Sequence, residues 1–66
     1  MNGEATVRQL VAGLPPPQLE AVLLKYGAGL SNREIAAATG RTPTAVSSLL
    51  NRALNKLREG LDEDHG

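Results

Sequence analysis

Apolar residues recur three and four positions apart along this chain, a spacing that predicts amphipathic helices. A first helix is expected from about Glu4 to Ala12, before Gly13. A second helix should begin within the proline run that follows, because proline fits the first turn of a helix, and should continue to about Tyr26. The apolar faces of these helices are Val7, Leu10, Val11 and Leu14 in the first, and Leu19, Val22, Leu23 and Tyr26 in the second.

A capping motif marks the start of a third helix. Gly27-Ala28-Gly29 closes the second helix, since glycine readily adopts the left-handed conformation that follows helix ends. Ser31 and Glu34 then fit a capping box, in which each side chain accepts a hydrogen bond from the backbone N–H of the other residue. This helix should be short and reach about Thr39, because Gly40 follows it.

A fourth helix has the clearest start in the chain. Thr42 is a favourable N-cap and Pro43 a favourable first helical residue. We expect this helix to end at about Glu59, because Gly60 follows. Its apolar stripe is widened by two further leucines and comprises Val46, Leu49, Leu50, Ala53, Leu54 and Leu57.

The composition favours an all-α fold without a cofactor. The chain has no cysteine, which excludes a disulfide framework, a thiolate zinc site and a catalytic thiol. The lone His65 has no second ligand beside it, so no metal is expected. Because Tyr26 is the only aromatic residue, the core must consist of Leu, Val, Ile and Ala, and two of these are strong helix formers.

A chain of 66 residues is one domain at most. We assign residues 1–61 to this domain and residues 62–66 to an acidic, disordered tail. No stretch approaches the roughly 20 apolar residues of a membrane span. The start, Met1-Asn2-Gly3-Glu4, also lacks the basic and apolar segments of a signal peptide. A cytoplasmic protein without a membrane partner is therefore expected.

The net charge of zero hides an uneven distribution of charges. Glu34 is the only acidic residue between positions 33 and 58, and the tail is acidic. The basic residues of the central segment are Arg33, Arg41, Arg52, Lys56 and Arg58. A cationic centre on a helical domain favours binding to a nucleic acid over an ordinary solvated surface.

The third and fourth helices, with Gly40 between them, have the pattern of a helix-turn-helix. Ala36 lies four residues before this glycine, where two crossing helices leave room only for a small side chain. Val46 lies six residues after it and faces inward from the second helix. In such a motif the second helix lies in the major groove of DNA, with its N-terminal residues toward the base edges.

The segments 14–24, 29–36 and 42–57 together resemble region 4 of bacterial sigma factors, particularly the extracytoplasmic-function type. The resemblance rests on the leucine-proline corner at Leu14-Pro15-Pro16-Pro17, on Glu34-Ile35-Ala36, and on the basic segment Asn51-Arg52-Ala53. It covers residues from about 5 to 61 and implies a four-helix, helix-turn-helix domain. LuxR-type regulator domains share Leu30 to Ala36 almost as well, but not the proline corner.

The resemblance implies a role in transcription initiation and no enzymatic activity. Region 4 docks on the β-flap of RNA polymerase and places its last helix in the −35 element of double-stranded promoter DNA. By position, the residues that it implies at base edges or nearby phosphates are Thr42, Thr44, Ser47, Ser48 and Asn51. The residues that it implies at phosphates are Arg33, Arg41, Arg52 and Lys56.

Departures from the family pattern leave two alternatives open. The family often has a basic residue at the positions of Ser47, Leu49 and Leu54, and Arg or Lys to guanine is the commonest specific base contact. One alternative is therefore a sigma-4-like module with weakened DNA affinity, which holds a regulatory protein on its leucine-rich fourth helix. The other is a LuxR-type domain that dimerises through its last helix and reads a two-fold DNA site.

Overall fold

The computed structural model describes the backbone of residues 3–65 and the side chains of residues 7–61. The predicted all-α class is confirmed, because this range contains helices and no strand. The helices in chain order are α1 (Gly3–Ala12), α2 (Pro16–Val22, continued by a π-helical turn at Leu23–Gly27), α3 (Asn32–Thr39) and α4 (Pro43–His65). The long α4 packs against each of the other three helices.

The proline corner between α1 and α2 has the predicted form. The N–H of Gly13 donates to the carbonyl oxygen of Gln9 at 3.1 Å, which closes α1. Pro15 has extended backbone and Pro16 is the first residue of α2, where its missing N–H leaves no bond unmade. Leu14, at the centre of the corner, is only 6% exposed, so the corner is part of the core.

The buried face of α2 is only partly the one predicted. Val22 is buried and Leu19 packs against the core, as predicted, but Leu23 and Tyr26 are 53% and 61% exposed, and Ala21 is buried instead. The segment carries two overlapping apolar stripes, and the stripe with the small Ala21 faces α4 because it permits closer packing. The π-helical turn follows, in which the Ala28 N–H donates to the carbonyl oxygen of Leu23, five residues earlier, at 3.0 Å.

The predicted boundaries of α3 are confirmed. The Ser31 N–H donates to Glu34 Oε1 at 2.7 Å, and the Glu34 N–H donates to Ser31 Oγ at 3.1 Å, which completes the capping box. At the other end Gly40 has φ of 71°, a left-handed conformation that costs a glycine little. The Arg41 N–H then donates to the carbonyl oxygen of Ala36 at 2.9 Å, so α3 ends in a tight turn.

The predicted start of α4 is confirmed, but its predicted end is wrong. Thr42 Oγ1 accepts from the Ala45 N–H at 3.1 Å and caps the helix. The helix does not stop at Glu59: it continues through Gly60 to His65 and so includes residues 62–65 of the expected tail. Gly60 lies against α1, where a Cβ would collide with Leu10 Cδ2. Glycine thus permits this close packing, although it costs roughly 1 kcal/mol inside a helix.

The rest of the expected tail, Gly66 and the side chains of residues 62–65, lies outside the described residues. Within the described part of the chain, no helix is long and apolar enough to cross a membrane.

The core is a single apolar cluster centred on α4. Its buried members are Leu14, Ala21, Val22, Ile35, Ala36, Val46, Leu50 and Ala53. Leu49 packs partly against this cluster, as predicted. Leu54 was expected in the same stripe, but it is 41% exposed because it lies at the edge of the buried face. The N-terminal half of α4 therefore has one side anchored in the core and the opposite side free.

Candidate nucleic-acid interface

The helix-turn-helix is formed by α3, a turn at residues 40–42 and the first half of α4. Ile35 and Ala36 of α3 and Val46 of α4 are at most 4% exposed, so the two helices meet without a gap. The small side chain of Ala36 at this crossing agrees with the role predicted for it. The relative orientation of the two helices is thus set by buried contacts and by the turn at Gly40.

The free side of α4 collects four of the predicted site residues. We call this surface the outer face; its members are Thr44, Ser48, Asn51 and Arg52, and all four are exposed. Ser48 lies four residues after Thr44, and Asn51 and Arg52 lie three and four residues after Ser48, so the four side chains share one side of the helix. The buried Val46, Leu50 and Ala53 occupy the opposite side. The outer face is therefore a polar stripe on a helix whose position is held by the core.

Two other predicted site residues have hydroxyl groups that already hold structural bonds. Thr42 is exposed, and its Oγ1 caps α4. Ser47 is half-buried, and its Oγ accepts a hydrogen bond from Asn32 Nδ2 at 3.0 Å. Ser47 therefore lies beside the outer face and is tied to α3 rather than directed into solvent.

Asn32 and Lys25 are polar residues near this surface that the sequence pattern did not indicate. Lys25 Nζ donates to Asn32 Oδ1 at 3.0 Å, and Asn32 in turn donates to Ser47. The three residues come from α2, α3 and α4 respectively. They are too far apart in sequence for any local periodicity to associate them. The only available signal is that Asn32 follows the cap residue Ser31 directly, which places it at the start of α3.

The predicted cations are placed in three different ways. Arg33, in the first turn of α3, and Arg52, on the outer face, are exposed. Arg41 Nη1 lies 3.2 Å from Glu20 Oε1, and the two side chains are 32% and 54% exposed. An ion pair this exposed contributes about 1 kcal/mol or less, so a phosphate can replace the carboxylate.

Lys56 is exposed and lies one turn, about 6 Å, beyond Arg52 along α4 and about 18 Å from Thr44. Together with Gln9 of α1 and Gly13, which follows α1, it lines a cleft. The structure thus places Arg33 on α3, Arg41 in the turn, Arg52 on the outer face and Lys56 one turn further along α4.

Two open apolar clefts lie away from the outer face. The α1–α4 cleft is lined chiefly by Val7, Leu10, Leu54, Leu57 and Leu61, with Arg58 beside them. The α1–α2 cleft is lined by Ala12, Leu14, Pro16, Leu19, Glu20, Leu23 and Leu24. Within the described residues, no group of three His, Cys, Asp or Glu side chains is placed to hold a metal ion.

A family model described as Sigma-70, region 4, matches residues 4–57. The chain belongs to the sigma-70 region 4 family. The match runs from α1 into α4 and contains the whole helix-turn-helix and every residue of the outer face. It confirms the sigma resemblance over the LuxR-type one. No curated protein sequence matches the chain.

Region 4 is a helix-turn-helix family of DNA-binding domains that act in transcription. In sigma factors it binds the −35 DNA and RNA polymerase. In this region 4 domain, the second helix of the motif carries the outer face, and Arg33 and Arg52 form no ion pair with a carboxylate among the described residues. The outer face thus presents hydroxyl, amide and guanidinium groups on one side of α4.

Proposed function

We propose that this region 4 domain binds double-stranded promoter DNA of the −35 type, with the outer face of α4 in the major groove, and contacts RNA polymerase. The observation that carries the proposal is the outer face itself. Its polar side chains are exposed and lie on a helix anchored by the buried Val46, Leu50 and Ala53. A major groove admits one α-helix, which suits this single projecting surface.

Base reading by this domain is expected to depend most on Asn51. An Asn side chain can form two hydrogen bonds with the N6 and N7 atoms of adenine, whereas Ser and Thr hydroxyls fit several bases. Thr44 and Ser48 therefore contribute contact with little discrimination. The absence of a basic residue among the front positions of α4 removes the usual contact with guanine. Moderate specificity follows from these side chains.

Phosphate contacts are expected from Arg33 and Arg52, with Arg41 joining them when it leaves Glu20. The first helix of a helix-turn-helix crosses the DNA backbone, which places Arg33 near phosphates. Thr42 can also contact the DNA backbone, because its hydroxyl proton can donate to a phosphate while its Oγ1 caps α4. Lys56 is expected to contribute less, because it lies toward the far end of α4 beside α1.

The α1–α2 cleft is the surface that we assign to RNA polymerase. Its apolar lining includes Leu23, which is 53% exposed although it is a large aliphatic residue. Open apolar surfaces of this kind commonly mark contacts with other proteins. The cleft is formed by α1 and α2 rather than by the outer face, so polymerase and DNA can be bound together.

A second candidate function is the binding of a regulatory protein on the fourth helix. It is favoured by the α1–α4 cleft, in which Leu54 is 41% exposed and lies near Leu57 and Leu61. In this case DNA affinity would be secondary. The two candidates differ in one simple respect: only the first requires that the isolated domain bind duplex DNA.

Salt-dependent binding to duplex DNA tests the proposed function. Fluorescence anisotropy of a labelled random-sequence duplex is measured between about 50 and 200 mM salt. Three to four phosphate contacts predict that log K falls with log salt with a slope of roughly −3. Unlabelled duplex should displace the labelled duplex from the domain, whereas oligoglutamate of equal charge should compete for the domain much less effectively. No binding at the lowest salt would refute the proposal and favour the regulatory-protein candidate.

Replacing Glu20 by Gln should increase the affinity for DNA. The Glu20 carboxylate pairs with Arg41, so its removal frees the guanidinium for a phosphate. We expect a gain of about two- to eightfold at 0.1 M salt and a steeper salt dependence. The measurement is the same anisotropy titration. Glu59→Gln removes an equally charged, exposed carboxylate and is the control; equal gains in both variants would show that Arg41 is not involved.

A further inference from the structure

Lys25, Asn32 and Ser47 form a hydrogen-bonded chain that we call the polar relay. Lys25 Nζ donates to Asn32 Oδ1 and Asn32 Nδ2 donates to Ser47 Oγ, each at 3.0 Å. All three side chains are half-buried. The relay joins the π-helical turn after α2 to the first residue of α3 and to the second turn of α4. It is the only side-chain network that links these three elements among the described residues.

The relay brings an ammonium group to the edge of the proposed DNA surface. Asn32 directly precedes Arg33, and Ser47 directly precedes Ser48 of the outer face. The first helix of a helix-turn-helix crosses the DNA backbone while the second enters the groove. The relay lies where the N-terminal turns of these two helices meet, so Lys25 Nζ is held close to the expected path of a phosphate strand.

The ammonium group of Lys25 has capacity left for such a contact. Lysine carries three N–H donors, and the structure uses one of them on Asn32. Among the described residues Lys25 has no carboxylate partner. The acidic residue of α3 is Glu34, and its carboxylate already accepts a hydrogen bond from the Ser31 N–H in the capping box. A half-buried cation with a neutral partner and free donors is suited to an incoming anion.

We propose that Lys25 is a further phosphate contact of this domain and that Asn32, braced by Ser47, is the residue that positions its ammonium group. This inference rests on the proposed DNA-binding function. It also changes the role of Ser47, which fixes Asn32 instead of reading a base. The ligand chemistry is the phosphodiester backbone of duplex DNA, and the contact does not depend on base sequence.

Salt dependence distinguishes a phosphate contact from a structural lysine. The variants are Lys25→Gln and Lys25→Met, the second of which keeps an unbranched apolar stem, with Lys25→Arg as the rescue. Gln and Met should make the slope of log K against log salt shallower by about 0.9 and lower the affinity roughly eightfold at 0.1 M salt. Arg should restore both values. Arg8→Gln, which removes an exposed cation from α1, should leave the slope unchanged.

The positioning role of Asn32 is tested in two backgrounds. Asn32→Ala should weaken DNA binding severalfold in the wild-type chain and much less in the Lys25→Gln chain, because no ammonium group is left to position. Equal losses in both backgrounds would overturn the positioning role. Urea unfolding, followed by circular dichroism, gives the folded fraction of every variant. Each affinity is then calculated from the concentration of folded protein.

Failure of the Lys25 contact can be distinguished from failure of the proposed DNA-binding function. If the wild-type domain binds duplex DNA but Lys25→Gln and Lys25→Met keep its salt slope, the Lys25 contact is overturned and the proposed function stands. If the wild-type domain does not bind duplex DNA at low salt, the proposed function falls and the Lys25 contact falls with it.

Discussion

The variant Leu50→Ala is expected to be largely unfolded at room temperature. Leu50 is 5% exposed and lies on the side of α4 that the core cluster surrounds. Truncating a buried leucine costs about 2–5 kcal/mol, through lost burial and the cavity that remains. A core of this size rarely supplies more than about 3–5 kcal/mol, so one such substitution removes most of the stability.

Leu23→Ala is the matched control for this prediction. It is the same chemical change, but Leu23 is 53% exposed on the α1–α2 cleft. Its cost should stay near about 0.5 kcal/mol, as is usual for surface substitutions. The free energy of unfolding is measured by urea titration with far-ultraviolet circular dichroism. Similar costs for the two variants would show that α4 is not the centre of the core.

The double variant Arg33→Gln, Arg52→Gln is expected to lose most of the affinity for duplex DNA. Both side chains are exposed: Arg52 belongs to the outer face, which we place in the major groove, and Arg33 lies in the first turn of α3. A slope of about 0.9 per phosphate contact corresponds to roughly an eightfold factor per contact at 0.1 M salt. The two losses multiply to roughly 60-fold, and the salt slope should become shallower by about 1.8.

A second double variant separates contact from overall charge. Arg8→Gln with Arg58→Gln also removes two exposed arginines, one from α1 and one from the α1–α4 cleft. The total charge changes equally, but Arg8 lies on α1 and Arg58 lies two turns, about 10 Å, beyond Asn51 along α4, so the slope should change much less. Anisotropy titrations of both double variants against the same duplex provide the measurement. Equal losses would mean that this domain attracts DNA only through its net charge.

The three proposed interfaces divide the described surface of the domain by chemistry. The outer face carries hydroxyls, an amide and a guanidinium, whereas the two clefts are lined mainly by leucine, valine and alanine. Glu20 is the residue that belongs to both regions, since it lines the α1–α2 cleft and pairs with Arg41 at the turn. The Glu20→Gln titration therefore also measures how strongly the cleft edge restrains the DNA-binding side.

Much of this fold is determined by local sequence, because the signals act within a few residues. The capping box at Ser31 and Glu34, the cap at Thr42 and the left-handed turn at Gly40 each depend on backbone groups no more than about one turn away. The apolar spacing of α4 likewise defines its buried and free sides. The outer face was therefore predictable down to Thr44, Ser48, Asn51 and Arg52.

Only the tertiary structure decided which of several locally equivalent choices is realised. Helix α2 could bury Leu23 or Ala21, and the close approach of α4 selected Ala21. Gly60 reads as a helix stop, yet the side chain of Leu10 packs against it and α4 continues. The hydrogen bond that Ser47 Oγ accepts from Asn32 of α3 is likewise visible only in the tertiary structure. In each case the deciding partner is distant in sequence, so no local pattern carries that information.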